Sequence, residues 1–383
     1  MKVPEGYLFN GINCGLKKKS RDLGIVISEN PARVVGVFTT NEYKSQSLLV
    51  CKNHTKRGYA RALIVNSGNA NCATGERGYR TALNICAKLA QKLDIKTEEV
   101  LFASTGIIGE PLPENKIINS LRKLLSSVDK DKVMDFASAI MTTDTYPKIA
   151  ARHLNCGGMI LGVAKGAGMI APEMATTLCF LFTDVEISRS VLSSVLRQTV
   201  DITFNRISVD EEQSTNDTLL CFANSMRGVR IDTAKKIAEF KRAISGVLQD
   251  LAYMVINDGE GATKIIKVVV KRARNSNIAE KIARRIAGSV LFKSSMYGNS
   301  PNWGRIISAV GSLRVGIGEE FDVYYGREKV VTNGISLYKK KGKVKKYLED
   351  NFEVDITVDL KKGKADYFLY TTDLSPEYVR LNS

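Results

Sequence analysis

Imidazole is nearly missing from this chain. Only His54 and His153 carry it among 383 residues, which argues against a multi-histidine metal centre. The seven cysteines, Cys14, Cys51, Cys72, Cys86, Cys156, Cys179 and Cys221, are odd in number, widely spaced and free of any C-x-x-C. They read as reduced packing thiols rather than a disulfide framework or a zinc site. No apolar run reaches the roughly 18 residues that a membrane span needs, and Met1-Lys-Val-Pro-Glu-Gly6 has no apolar signal-peptide core. The expectation is a cytoplasmic, metal-free chain with no membrane partner.

Acidic charge is also short: 56 Lys+Arg stand against 40 Asp+Glu, for a net charge of +16. The excess falls in short runs, Lys17–Lys19, Lys271–Arg274, Lys339–Lys341 and Lys343–Lys346. Aromatic residues do not interleave with them as a base-stacking platform would require. They read as solvated loop lysines, the last pair as a hairpin tip or linker, and no nucleic-acid partner is expected.

What is present is an ordinary globular composition, 44% hydrophobic and 25% charged. Periodicity predicts strands at 61–65, 100–103, 176–182 and 265–270, and in the tail at 321–325, 352–360 and 367–371. It predicts helices at 77–94, 113–128, 188–200, a long one ending near 257, and a helical stretch around 277–316. Helices packed on sheets in mixed order suggest an α+β layered sandwich.

The most informative stretch is Lys165-Gly-Ala-Gly-Met-Ile-Ala-Pro-Glu-Met-Ala-Thr176-Thr-Leu-Cys-Phe-Leu-Phe182. A Gly-rich loop stopped by proline runs into an apolar strand, with a threonine at the junction. Alone this also describes a loop feeding a buried strand. A threonine becomes a useful nucleophile when it is the first residue of a chain, because its α-amino group can take the hydroxyl proton. That chemistry requires cleavage of the Ala175–Thr176 bond.

The segment resembles the self-cleavage site of the ornithine acetyltransferase (glutamate N-acetyltransferase) family, whose pattern is approximately K-G-x-G-M-[IL]-A-P-x-[ML]-A-T-[ML]-L. Only Thr177 departs from it. Asn66–Asn71, Met141–Lys148, Ser214–Asp217, Asn257–Lys264 and Pro301–Arg305 resemble further signatures of that family in the same order. Each alone is a polar, Gly-rich connection of the kind that more often forms a structural turn.

The resemblance implies an αββα-type sandwich of the N-terminal-nucleophile-like kind with a smaller, mixed, β-rich C-terminal region. It implies self-cleavage into residues 1–175 and 176–383, which stay associated as an α2β2 heterotetramer. Thr176 would carry an acetyl group from N-acetylornithine to glutamate. The Thr105 hydroxyl and the Gly106 N–H would form the oxyanion hole. Thr142, Lys165, Thr176, Glu260 and Asn382 would contact substrate. No cofactor is implied, and acetyl-CoA as a co-substrate is left open. Three departures accompany the match: Glu211 where the family has glycine, Ser300 where it often has Asp, and an ending at Ser383 a few residues before the family's last contact. The alternative is an N-terminal-nucleophile aminopeptidase or amidohydrolase on a related fold.

Overall fold

Leu178–Thr183 and Thr218–Ala223 are buried at every position. Strands written as unbroken apolar runs do this when both faces are covered. The computed structural model describes residues 2–171 and 177–383 and divides into two compact units, Met1–Asn205 with Gln213–Val255, and Arg206–Glu212 with Ile256–Ser383.

The first unit contains β1 (Tyr7–Ile12), β2 (Leu23–Phe38), β3 (Tyr59–Asn69), β4 (Val100–Ile107), β5 (Lys148–His153), β6 (Met159–Lys165), β7 (Leu178–Thr183) and β8 (Thr218–Ala223). Their hydrogen-bonded order is β4-β3-β2-β8-β7-β6-β5, with β1 also paired to β2. β2 exposes Glu29, Asn30 and Pro31 at its middle, where its register against β3 slips between Ile27 and Ala32. Proline cannot donate to a ladder, so pairing breaks there.

The N-terminal half of β2 pairs with β1 and β3, and its C-terminal half with β8. The two leaves face each other. Tyr7 and Phe9 of β1 pack on Phe182 of β7 at ring separations of 5.2 and 5.5 Å. Leu63, Val65 and Leu101 share a buried cluster with Leu161, Val163, Phe180 and Leu220.

Helices close the outer faces. After α1 (Gln46–Thr55), α2 (Gly75–Leu93) and α3 (Glu114–Leu125) bring Ala82, Ile85, Leu89, Ile117 and Leu121 against Ile64 and Phe102. α4 (Val133–Ile140) sends Val133, Phe136 and Ile140 into the inner core. α5 (Arg189–Val200) is capped by Ser188, whose hydroxyl accepts from the Val191 N–H at 3.3 Å. α6 (Ala234–Asn257) lays Val247 and Leu251 against Gly162 of β6. The layer order is helix, sheet, sheet, helix, as expected for the sandwich.

The second unit has β9 (Ile265–Ala273), β10 (Asp322–Tyr325), β11 (Glu328–Thr332), β12 (Glu353–Asp359) and β13 (Ala365–Thr372). Their sheet runs β11-β10-β12-β9-β13, with Ile335–Ser336 beyond β11 and Ile207–Ser208 beyond β13. α7 (Ser276–Ala287), α8 (Val290–Tyr297) and α9 (Gly304–Gly311) cover it, with Ile282, Ile286 and Ile306 in one core with Val268, Val270 and Ile356.

The helical stretch expected around 277–316 is thus three helices, and Ser289 starts the second by accepting from the Phe292 N–H at 3.3 Å. The loop reading of the basic runs fails twice: Lys271 and Arg272 are exposed residues of β9, and the lysines of 341–346 open a helix, α10 (Lys341–Asp350), rather than a linker. Val344 and Leu348, one turn apart, are buried and fix it. α11 (Pro376–Leu381) ends the fold. Among the described residues no helix is long and apolar enough to cross a membrane.

Candidate active site

β3 and β4 run parallel and leave the first unit's sheet side by side, with Ser67 opposite Thr105 and Gly68 opposite Gly106. Gly106 has φ +131°, and a Cβ there would lie 2.4 Å from the Gly68 carbonyl carbon. Only glycine meets both demands. A buried polar network fixes this end. Ser104 donates to Asn66 Oδ1 at 2.6 Å, and Asn216 Nδ2 donates to the Ser104 and Ala70 carbonyls, both at 2.7 Å. The Asn66–Asn71 and Ser214–Asp217 motifs therefore act as struts beneath the Ser104–Gly106 segment.

Lys165 ends β6, only 8% exposed. Its Nζ donates to Thr105 Oγ1 at 3.1 Å and to Thr142 Oγ1 at 2.9 Å. With a lone pair of Thr105 Oγ1 occupied by the ammonium, its O–H is left to donate to another oxygen. Three of the expected site residues, Thr105, Thr142 and Lys165, are thereby joined.

Asp144, which sequence reasoning did not single out, holds this arrangement from below. Its Oδ1 accepts from Lys148 Nζ at 2.7 Å and from the Gly166 N–H at 2.6 Å, and its Oδ2 accepts from the Thr142 N–H at 2.9 Å. Both partners of the Asp144–Lys148 pair are fully buried at the side chain. Burial pushes the Asp144 carboxyl up, but the charges of Lys165 and Lys148 and the hydrogen bonds to it outweigh that and hold it down at about 2. The signal was an acid inside Met141–Lys148, four residues before a lysine, in a stretch that otherwise reads as a turn.

Asp217 was also missed as a single residue. It precedes β8, and the Thr218 N–H donates to the Thr177 carbonyl at 3.0 Å. Asp217 is 3% exposed, and burial holds its carboxyl well above the carboxylate range, opposed by a hydrogen bond with Ser214 and the Lys165 charge. Its neighbour Thr177 is 4% exposed. Ala175 and Thr176, the expected cleavage site and nucleophile, lie outside the described residues.

The second unit assembles the other expected contacts. The turn carrying Glu260 is locked to the C-terminal segment: Ser375 Oγ donates to the Gly261 carbonyl at 2.5 Å, and Asp373 Oδ1 accepts from the N–H groups of Thr263 and Lys264 at 2.8 and 3.0 Å. Asn382 Nδ2 then donates to Glu260 Oε2 at 2.8 Å. Glu211 sits at φ +63°, in the left-handed region where glycine is at ease. Its carboxylate accepts from Ser208 Oγ at 2.9 Å, and that hydroxyl accepts from the Glu211 N–H at 3.3 Å, a local compensation for the strain.

Residues 8–383 match the model of the ArgJ family. The chain is 37% identical over 392 residues to the arginine biosynthesis bifunctional protein ArgJ of Caldanaerobacter subterraneus subsp. tengcongensis, covering 100% of this chain and 97% of that protein. It is 39% identical over 389 residues to the glutamate N-acetyltransferase of Methanopyrus kandleri, covering 100% and 99%. Among solved structures, ornithine acetyltransferase complexed with ornithine from Mycobacterium tuberculosis is 35% identical, covers 45% of this chain and 94% of that one, and has a TM-score of 0.44.

Proposed function

The chain belongs to the ArgJ family, whose relatives are named as enzymes of arginine biosynthesis, and from that premise we propose that it moves an acetyl group from N-acetylornithine to glutamate through an acetyl-Thr176 intermediate. The observation that carries this reading is the junction of Lys165 with both Thr105 and Thr142. It sets a buried cation, suited to a substrate carboxylate, beside a hydroxyl poised to donate to an oxyanion.

The sequence of bonds begins with self-cleavage. The Thr176 hydroxyl attacks the Ala175 carbonyl, and collapse of the adduct breaks the C–N bond to leave an ester on Oγ and a free α-amine on Thr176. Water hydrolyses the ester, giving Ala175 a carboxylate and regenerating the hydroxyl. The sheet explains why the pieces would stay together. β7 and β8, after the scissile bond, are hydrogen-bonded between β6 and β2, which precede it.

In transfer, the Thr176 α-amine takes the hydroxyl proton as Oγ attacks the acetyl carbonyl of N-acetylornithine. The Thr105 O–H and Gly106 N–H stabilise the resulting oxyanion. Collapse expels ornithine, whose departing nitrogen receives the proton. The amine of glutamate then attacks the acetyl ester, a second oxyanion forms in the same place, and N-acetylglutamate leaves as Oγ recovers its proton. Lys165 and Thr142 hold the carboxylate end of each amino acid; in the second unit, the Glu260 carboxylate beside Asn382 suits a cationic amino group.

Steady-state kinetics test this directly. A covalent intermediate gives parallel double-reciprocal lines against N-acetylornithine and glutamate. Intersecting lines would mean transfer within a ternary complex and would remove the acetyl-threonine.

A further inference from the structure

Lysine runs in loops are usually solvated, and Lys18 and Lys19 are exposed. Lys17 differs. Its loop is clasped by the fully buried Asp22, whose Oδ1 and Oδ2 accept from the Cys14 and Lys17 N–H groups at 2.6 and 2.7 Å. The Lys17 stem crosses Gly68, where an added Cβ would come within 3.1 Å of its Cγ. Gly68 is the residue packed against Gly106.

The Lys17 ammonium ends at the Met141 carbonyl, 2.9 Å away, its one hydrogen-bond partner among the described residues. The next residue, Thr142, receives the Lys165 ammonium at 2.9 Å. Two cations are therefore delivered to consecutive residues of one turn, beside the carboxylate of Asp144, which also accepts from Lys148 and two backbone N–H groups.

Burial lowers the Lys17 pKa, the Asp22 and Asp144 charges oppose that, and the Lys165 charge lowers it further. The Lys17 ammonium is half-buried and the Lys165 ammonium buried, and a ligand carboxylate, with two oxygens, can accept from both.

We propose that Lys17 is a substrate-binding residue that, with Lys165, grips the α-carboxylate of the amino-acid substrate. This deepens the acetyl-transfer reading and rests on it for the identity of the ligand. Ornithine and glutamate share the α-amino-acid end, whose nitrogen carries or receives the acetyl group, so its α-carboxylate is the charge that one pair of cations can hold in both half-reactions. A carboxylate offers two oxygens, and each ammonium has N–H groups to direct at one of them.

Calorimetric titration of the processed enzyme with glutamate and with its α-amide tests the proposal independently of turnover. Wild type should bind glutamate more tightly than the α-amide. In Lys17→Met, affinity for glutamate should fall about tenfold, the scale of one charge-assisted hydrogen bond at a half-exposed site. Affinity for the α-amide should change little, so the gap between the two ligands shrinks, and Lys17→Arg should restore it. In turnover the KM values of both substrates should rise while kcat holds within about twofold. An undiminished gap in Lys17→Met would show a packing role and overturn the proposal, as would unaltered glutamate binding. If wild type binds glutamate in this Lys17-dependent way yet transfers no acetyl group, the transfer reading fails while the carboxylate site stands.

Discussion

The two groups of expected site residues are built in different ways. In the first unit Thr105 and Thr142 are joined by hydrogen bonds from the Lys165 ammonium, over a buried carboxylate that accepts three more. In the second unit Glu260 is half-buried and meets an exposed Asn382 through one hydrogen bond. Where an oxyanion must be met without reorganisation, donors need to be fixed in a low-dielectric setting. Where a charged end of a small molecule is received near water, one adaptable contact is enough, and it is worth little alone.

The contrast breaks most readily at Asp144. Asp144→Ala leaves the buried Lys148 without its carboxylate and should cost about 3–5 kcal/mol of unfolding free energy in denaturant titrations. A cost below about 1 kcal/mol would mean that the first group is not held rigidly. The acid limb carries the same information. The folded Asp144 carboxyl titrates at about 2, below the ordinary value of about 3.9. Its share of stability is therefore complete above the ordinary value and is lost as pH falls through the folded one.

Next in size is the proposed oxyanion donor. Thr105→Ala removes one hydroxyl without touching the strained glycine that follows, and kcat should fall by about 10²–10³, or about 2.7–4 kcal/mol, with KM little altered. A raised KM at constant kcat would instead make Thr105 a binding residue.

The smallest effect is expected in the second unit. Asn382→Ala removes one exposed hydrogen bond to Glu260 and should change KM by about 0.5–1.5 kcal/mol, roughly two- to tenfold. A loss as large as that from Thr105 would erase the distinction between the two groups.

The fold was legible wherever apolar periodicity governs. α5, α6, β9 and the tail strands lie where apolar spacing and the Ser188 cap put them. Lysine density misled at 341–346, because two buried positions, Val344 and Leu348, decide that helix while the surrounding charge says loop. In the site, Thr105, Thr142 and Lys165 came from motif resemblance, and their spacing along the chain gives no hint that one ammonium joins them. Asp144 and Asp217 were hidden for the same reason. An acid in a polar loop looks solvated until the strands around it close: the buried lysines and N–H groups then hold the Asp144 carboxyl down, whereas burial pushes the Asp217 carboxyl up. Lys17 was concealed among its exposed neighbours Lys18 and Lys19. Glu211 stands where the family has glycine, and its φ of +63° is the backbone conformation that accounts for a glycine there.

The central claim is that Thr176 becomes an N-terminal nucleophile and carries the acetyl group. Mass spectrometry of the purified, denatured protein after exposure to N-acetylornithine without glutamate tests it most directly. The account predicts two chains, 1–175 and 176–383, with one acetyl group on the second that disappears on adding glutamate, and a single uncut chain for Thr176→Ala. One full-length wild-type chain, or a cleaved second chain that never gains an acetyl group, would contradict it.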